Sequence, residues 1–157
     1  MKALLFWLSG RLPCRIISDG DSPYLERYYL FTLFGVRFYL HRFVASDPDR
    51  GLHDHPWPWA FSLILSSWYQ EQRRDGMHKV RFFNRLSGDT FHRVILANGP
   101  VWTIFAHRAR RTKEWGFLRD KGQLGITYRP HQPGIEEQWW KSVPRGRYEP
   151  RRMPKGA

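Results

Sequence analysis

The central part of the chain is a series of short runs rich in aromatic and β-branched residues, each followed by a turn signal. Turns such as Asp75-Gly76 and Asn98-Gly99 separate the runs. The predicted strands cover residues 27–34, 36–44, 52–55, 61–71, 78–84, 92–96, 101–107, 114–118 and 124–128. No long segment has a helical period, and no internal repeat is visible. Strands that recur about every ten residues predict an all-β sandwich or barrel.

The two ends of the chain differ in composition from this series. A length of 157 residues suits one domain, which we divide into an N-terminal segment (1–22), a β-barrel (23–130) and a C-terminal extension (131–157). The apolar run 3–8 is too short for a signal peptide and predicts a short amphipathic helix or a lead-in strand. Prolines and glycines interrupt the extension, so one or two helical turns are expected within 135–143 and partial disorder beyond them.

The net charge of +12 is concentrated at the ends of the chain. Residues 1–18 contain three basic and no acidic residues, and residues 141–157 contain six basic residues and one glutamate. Such tails bind nucleic acid or are simply solvated, and both interpretations stay open. The single cysteine, Cys14, excludes an intramolecular disulfide and suits a cytoplasmic protein. No run is apolar and long enough to span a bilayer, so no membrane association is expected.

The most informative motif is the pair His53 and His55. Residues two apart in a strand point to the same face, so both imidazoles can converge on one ion, while Asp54 faces the other way. A third ligand should come from a neighbouring strand. His92 alternates with Val94 and Leu96, which places it on an apolar, inward face. Three neutral imidazoles with open positions suit a divalent transition metal: Fe(II), Mn, Ni, Cu or Zn.

These motifs resemble those of the cupin superfamily. Within it, four runs resemble small, uncharacterised bacterial and phage cupin-like proteins: HDHPWPW, GDTFHRVIL, WTIFAHRARRTKEWGF and ITYRP. The resemblance covers about residues 29–128 and implies a single jelly-roll barrel. Cupins usually place a glutamate three or four residues beyond the second histidine, where this chain has Trp59 and Ala60. The second motif also departs from the usual pattern, with one extra residue between Gly88 and His92. The remaining three-histidine site is similar to that of cupin thiol dioxygenases, and Fe(II) is the metal that we favour for this chain.

Three further residues are candidate catalytic groups. Tyr69, Glu71 and Glu114 could serve as acid, as base or as support for a ligand, and either glutamate could replace the missing carboxylate. The other histidines (His41, His78, His107 and His131) are expected to be structural or at the surface. Arg93 alternates outward and predicts a surface salt bridge. The basic run 108–113 predicts a solvated turn or an anion-binding segment.

These features favour a metal-dependent enzyme, most simply an oxygenase that acts on a small molecule. An isomerase or a hydrolase would use the same residues. The alternatives are a non-catalytic binding module that contacts nucleic acid through the basic tails, and a structural component of a phage or other assembly. Cupins commonly pair, so a homodimer is a further expectation. No Ser/His/Asp arrangement, phosphate-binding glycine loop or zinc-finger spacing offers a competing chemistry.

Overall fold

The computed structural model describes residues 1–131 and 138–156, and within them the chain is mainly antiparallel β-structure. A helix, α1 (Lys2–Ser9), comes before all the strands. The strands are β1 (Cys14–Asp19), β2 (Ser22–Leu33), β3 (Val36–Phe43), β4 (Leu52–His53), β5 (Trp59–Ser66), β6 (Tyr69–Arg73), β7 (Gly76–Val80), β8 (Phe83–Ser87), β9 (His92–Leu96), β10 (Val101–Arg108), β11 (Gly116–Asp120) and β12 (Ile126–Pro130). Short 3-10 turns cover Gly122–Leu124, Trp139–Lys141 and Gly146–Tyr148.

The strands form two six-stranded sheets. The first sheet has the order β1-β2-β3-β10-β5-β8, and the second has the order β12-β11-β4-β9-β6-β7. All pairings within them are antiparallel, and the chain passes repeatedly from one sheet to the other, as in a jelly roll. The all-β barrel predicted from the sequence is confirmed. β1 belongs to the first sheet although it lies within the predicted N-terminal segment 1–22, and the exact domain boundaries stay a prediction.

Two predicted strands are each divided in the structure. The predicted run 61–71 breaks at Ser67, whose positive φ of 66° ends β5 and allows β6 to start in the other sheet. The predicted run 78–84 breaks at residues 81–82, where the chain returns from β7 to β8. In both runs apolar and aromatic residues stand on either side of the break, so composition alone does not reveal it.

Both faces of the first sheet carry buried residues. On one face Cys14, Tyr28, Leu40 and Trp102 form a buried cluster, and apolar residues of α1 pack against it. Alternating residues of the same strands point into the space between the sheets. α1 fulfils the expectation of a short N-terminal helix. No helix in residues 1–131 and 138–156 has the length and apolar composition needed to cross a bilayer.

The described part of the C-terminal extension packs on the barrel. The backbone of residues 144–147 pairs with that of residues 10–14, through bonds such as Cys14 N–H to Pro144 O (2.9 Å). Trp139 is buried between the sheets, and Trp140 stacks on Tyr29 with ring centroids 4.1 Å apart. Arg152 donates hydrogen bonds to the Tyr28 hydroxyl and to Phe6 O. The predicted helical turn within 135–143 lies partly outside the described residues, and its described part is the 3-10 turn Trp139–Lys141.

Candidate metal centre

The second sheet brings the three predicted ligands together. His53, at the end of β4, lies directly opposite His92 of β9 in the antiparallel register. His55 follows two residues later, where its N–H donates to Gly88 O (3.2 Å). A Cβ on Gly88 would lie 2.3 Å from Trp57 O, so only glycine permits this close approach of the two motifs. The glycine of the second motif therefore positions the loop that carries His55.

The three imidazole rings surround one point. Their centroids are 4.7 Å (His53–His92), 5.0 Å (His55–His92) and 5.2 Å (His53–His55) apart, and one ring nitrogen from each lies within 4.8 Å of the others. The Nε2 atoms of His55 and His92 are 2.8 Å apart. Nitrogens roughly 2.0–2.1 Å from a common ion are about 2.9 Å apart at right angles and about 3.4 Å apart at the tetrahedral angle. The donor set therefore fits a divalent transition metal after small side-chain adjustments.

Glu71 orients His92 from the side opposite the cluster. Its buried Oε1 accepts a hydrogen bond from His92 Nδ1–H (2.7 Å), so Nε2 carries the lone pair that faces the other histidines. Glu71 itself is held by Arg73 Nε (2.6 Å) and Asn84 Nδ2 (2.7 Å). A carboxylate on the far nitrogen of a ligating histidine is the usual support of a metal site in proteins.

The fold matches solved structures of known proteins. A cupin-2 domain protein of Rhodospirillum rubrum superposes with a TM-score of 0.56 and 12% identity, covering 72% of this chain and 79% of its own. A sugar phosphate isomerase of the cupin superfamily from Silicibacter pomeroyi gives a TM-score of 0.51 and 13% identity, covering 68% of this chain and 76% of its own. The chain has the cupin fold.

A third structural neighbour is HppE in its Fe(II) form, with a TM-score of 0.50 and 11% identity. The match covers 61% of this chain and 56% of HppE, so it spans little more than half of that protein. No protein-family model and no curated protein sequence matches the chain. At these identities the likeness to the three neighbours concerns the fold, and the site must be argued from the residues of this chain.

This cupin barrel lacks a fourth ligand at the usual position of the family glutamate. Ala60 is buried in β5 against Tyr39 and Phe105, and Trp59 starts the same strand. Within residues 1–131 and 138–156, the one group of His, Cys, Asp or Glu able to share an ion is His53, His55 and His92. Asp54 faces away, as predicted, and accepts hydrogen bonds from Lys113 Nζ and Gly116 N–H, both at 2.7 Å.

The three candidate catalytic residues lie in different environments. Tyr69 lines the cavity, and its hydroxyl accepts a hydrogen bond from Asn84 (3.3 Å). Glu71 is fully engaged by His92, Arg73 and Asn84. Glu114 is exposed in the loop before β11, whereas the next residue, Trp115, lines the cavity. The position of Glu114 therefore does not support its predicted catalytic role.

Burial keeps His53 and His55 uncharged. Loss of solvent lowers the pKa of His53 and of His55 well below the ordinary value, and the nearby His92 and Arg27 lower both pKa values further. Although burial raises the pKa of Glu71, the hydrogen bond from His92 and the charge of Arg73 hold it below its ordinary value. A neutral imidazole and an ionised supporting carboxylate are the states that metal binding requires.

Several residues of the cavity were not assigned to it from the sequence. Six of the seven histidines line a cavity of about 500 Å³ between the sheets, among them His41, His107 and His131. His107 is buried and stacks on Trp57, with ring centroids 3.6 Å apart. His78 lies on the exposed β6–β7 hairpin beside Asp75 (2.9 Å).

Alternation along β3 could have found part of this lining. Arg37, Tyr39, His41 and Phe43 occupy every second position of that strand, and all four line the cavity. Arg111 is the member of the basic run 108–113 that also lines it. Arg93 forms the predicted surface salt bridge, with Asp49.

Proposed function

We propose that this chain is a metal-dependent enzyme of the oxygenase type that acts on a small molecule and uses Fe(II) in preference to Mn, Ni, Cu or Zn. The observation that carries the proposal is the convergence of three imidazoles on one point, with the buried Glu71 behind His92. Three protein ligands leave coordination positions open, as in catalytic rather than structural sites. The likeness of the fold to HppE in its Fe(II) form supports the choice of metal.

The residues of the chain have separable tasks in this proposal. His53, His55 and His92 would hold the ion, which when bound supplies Lewis acidity and one-electron redox chemistry. Glu71 is a positioning residue, because its contacts with His92, Arg73 and Asn84 leave it no room to act on a substrate. Trp57, Phe105 and Trp115 line the cavity and exclude bulk water from the reacting groups.

Tyr69 is one proton donor that the cavity offers. Burial and the neighbouring Glu71 raise the pKa of its phenol, so the hydroxyl stays protonated at neutral pH. The hydroxyl accepts a bond from Asn84 and lines the cavity. We therefore assign to Tyr69 the donation of a hydrogen bond or proton to the bound substrate.

Elemental analysis of protein purified without a histidine tag or chelator tests the proposal. We expect about one equivalent of transition metal per chain, with iron retained under anaerobic conditions. His55→Ala should lose the metal while keeping the wild-type fold by circular dichroism. His78→Ala, on the exposed hairpin, is the matched control and should keep the metal. Wild-type protein without metal, or His55→Ala with unchanged metal content, would contradict the proposal.

A further inference from the structure

The cavity above the three histidines contains an excess of positive charge. Five arginines line it, against one carboxylate among the described lining residues, Asp47, which accepts a hydrogen bond from Val94 N–H (2.8 Å). Arg50 forms an ion pair with Asp19 (3.7 Å). The other four are Arg15, Arg27, Arg37 and Arg111, and none forms an ion pair with a carboxylate of residues 1–131 or 138–156.

Two of these arginines lie side by side. Arg15 of β1 and Arg27 of β2 are directly opposite in the antiparallel register, and Arg27 is in turn opposite His41 of β3. Like charges at opposite positions of neighbouring strands destabilise a sheet, the more so where the side chains are partly removed from water. The fold therefore holds two cations together at a position where an anion would relieve their repulsion.

Arg27 is placed to reach such an anion. Its Nε donates to His41 Nε2 (3.0 Å), which fixes the guanidinium within the cavity. No bond from its two terminal nitrogens to a described residue is found, so the planar donor pair that binds carboxylate and phosphate is available. The cationic carbon lies 5.4 Å from the centroid of the Tyr39 ring.

Aromatic rings form much of the remaining wall. Tyr39, Trp57, Phe105, Trp115 and Phe117 line the same cavity as the arginines and the histidines. A ligand that satisfies both parts of the wall has an anionic head group and an apolar or aromatic body. A nucleic-acid strand does not fit this description, because the arginines lie in a cavity between two sheets and not along an open surface.

We infer that the cavity binds a small organic oxyanion, a carboxylate or a phosphate ester, whose head group pairs with Arg27 and Arg15 and whose apolar body lies against the aromatic wall beside the three histidines. This inference names the substrate class of the proposed enzyme and so rests on the proposed function. The two head groups share one recognition chemistry, bidentate pairing with guanidinium.

Isothermal titration of the metal-loaded protein with benzoate and, separately, with inorganic phosphate tests the inference. At least one anion should bind, and the one that binds more tightly identifies the head group. Arg27→Met and Arg15→Met should weaken that binding about tenfold or more, because each removes a charge-assisted hydrogen-bond donor. Arg27→Lys should recover part of the affinity. Arg85→Met, an exposed arginine of β8 outside the cavity, should bind as the wild type does.

The two proposals fail separately. Metal content is measured on the same samples. Protein that holds its metal but binds neither anion, or whose Arg27→Met and Arg15→Met variants bind as tightly as the wild type, overturns the anion inference alone. Protein that binds benzoate through Arg27 but contains no metal overturns the metal proposal and leaves the anion site standing. If Arg27→Met does not fold, Arg15→Met and Arg27→Lys carry the comparison.

Discussion

Glu26 and Glu71 are both fully buried, yet their hydrogen-bond networks end in different ways. Glu26 accepts bonds from the Tyr28 hydroxyl (2.6 Å), from Arg42 (3.3 Å) and from Met153 N–H (2.8 Å). Arg42 continues to the carbonyl oxygens of residues 153–155. In this network donors and acceptors of the chain satisfy one another, and their hydrogen bonds hold the C-terminal extension on the barrel.

The network of Glu71 does not close in this way. It runs through His92 to an Nε2 atom that faces Nε2 of His55, at the cavity between the two sheets. An acceptor nitrogen that faces a cavity is satisfied only if a cation or a proton binds there. The contrast shows how a structural buried carboxylate differs from one that supports a site. All hydrogen-bond partners of Glu26 belong to a network that is satisfied within the chain. Glu71 instead orients His92, whose Nε2 remains available to a ligand.

The largest expected effect concerns the closed network. Glu26→Gln leaves the buried charge of Arg42 without its counter-ion and should reduce the free energy of unfolding by about 3 kcal/mol, measured by urea denaturation. The exposed Asp21→Asn is the control, with a change within about 0.5 kcal/mol. Metal content per folded molecule should stay at the wild-type value. A loss of stability below about 1 kcal/mol would show that this ion pair does not hold the C-terminal extension on the barrel.

The corresponding change in the open network should act on the metal. Glu71→Gln removes the charge that orients His92, and metal affinity should fall about 10- to 100-fold in competition with a chelator. Asp75→Asn, an exposed carboxylate on the following turn, should leave the affinity unchanged. Equal metal affinity in Glu71→Gln and in the wild type would mean that the contact with His92 does not support a metal centre.

The residues of the site that have a local signal in the sequence were the ones that could be predicted. His53 and His55 follow from the period of two, and His92 follows from its alternation with Val94 and from the motif around Gly88. Support of a ligand was one of the roles predicted for Glu71, but the sequence could not select it, because it depends on β6 pairing with β9, which places Arg73 opposite His92. Long-range register of this kind leaves no local signal.

The arginine-lined part of the cavity was missed for a related reason. Arg15 and Arg27 are ordinary basic residues in the sequence, and Arg15 was counted with the charged N-terminal end. Their meeting requires the β1–β2 register and the direction of both side chains toward the second sheet. The position of Glu114 could not be predicted either, since whether it or Trp115 faces inward depends on where β11 starts.

The free energy of unfolding should depend on pH through a buried histidine that lines the cavity, His107. Burial lowers the pKa of His107 to about 3 from an ordinary value of 6.5, so between these pH values the unfolded chain binds the proton that the folded chain excludes. Stability is therefore present above pH 6.5 and is lost as the pH falls toward 3. Between about pH 6 and about pH 5 this group should contribute a loss of about 1 kcal/mol.

Urea denaturation of His107→Phe at both pH values tests this contribution. Phenylalanine keeps a ring against Trp57 but cannot take up a proton, so the variant should lose less stability on acidification than the wild type. The other buried histidines, His41 among them, retain their own acid sensitivity in the same direction, because burial also lowers the pKa of His41. Parallel pH dependences for variant and wild type would contradict the assignment to His107.

The smallest expected effect comes from an ion pair that belongs to neither network. Arg93 follows His92 in sequence, but its side chain pairs with Asp49, whose side chain is 89% exposed. Because solvent screens such a pair, Arg93→Ala should lower the free energy of unfolding by about 0.5 kcal/mol and leave metal affinity unchanged. If Arg93→Ala lowers metal affinity as much as Glu71→Gln does, the network that supports His92 extends through β9 to the surface. The exposed carboxylate of Asp49 would then also be one that supports the metal site.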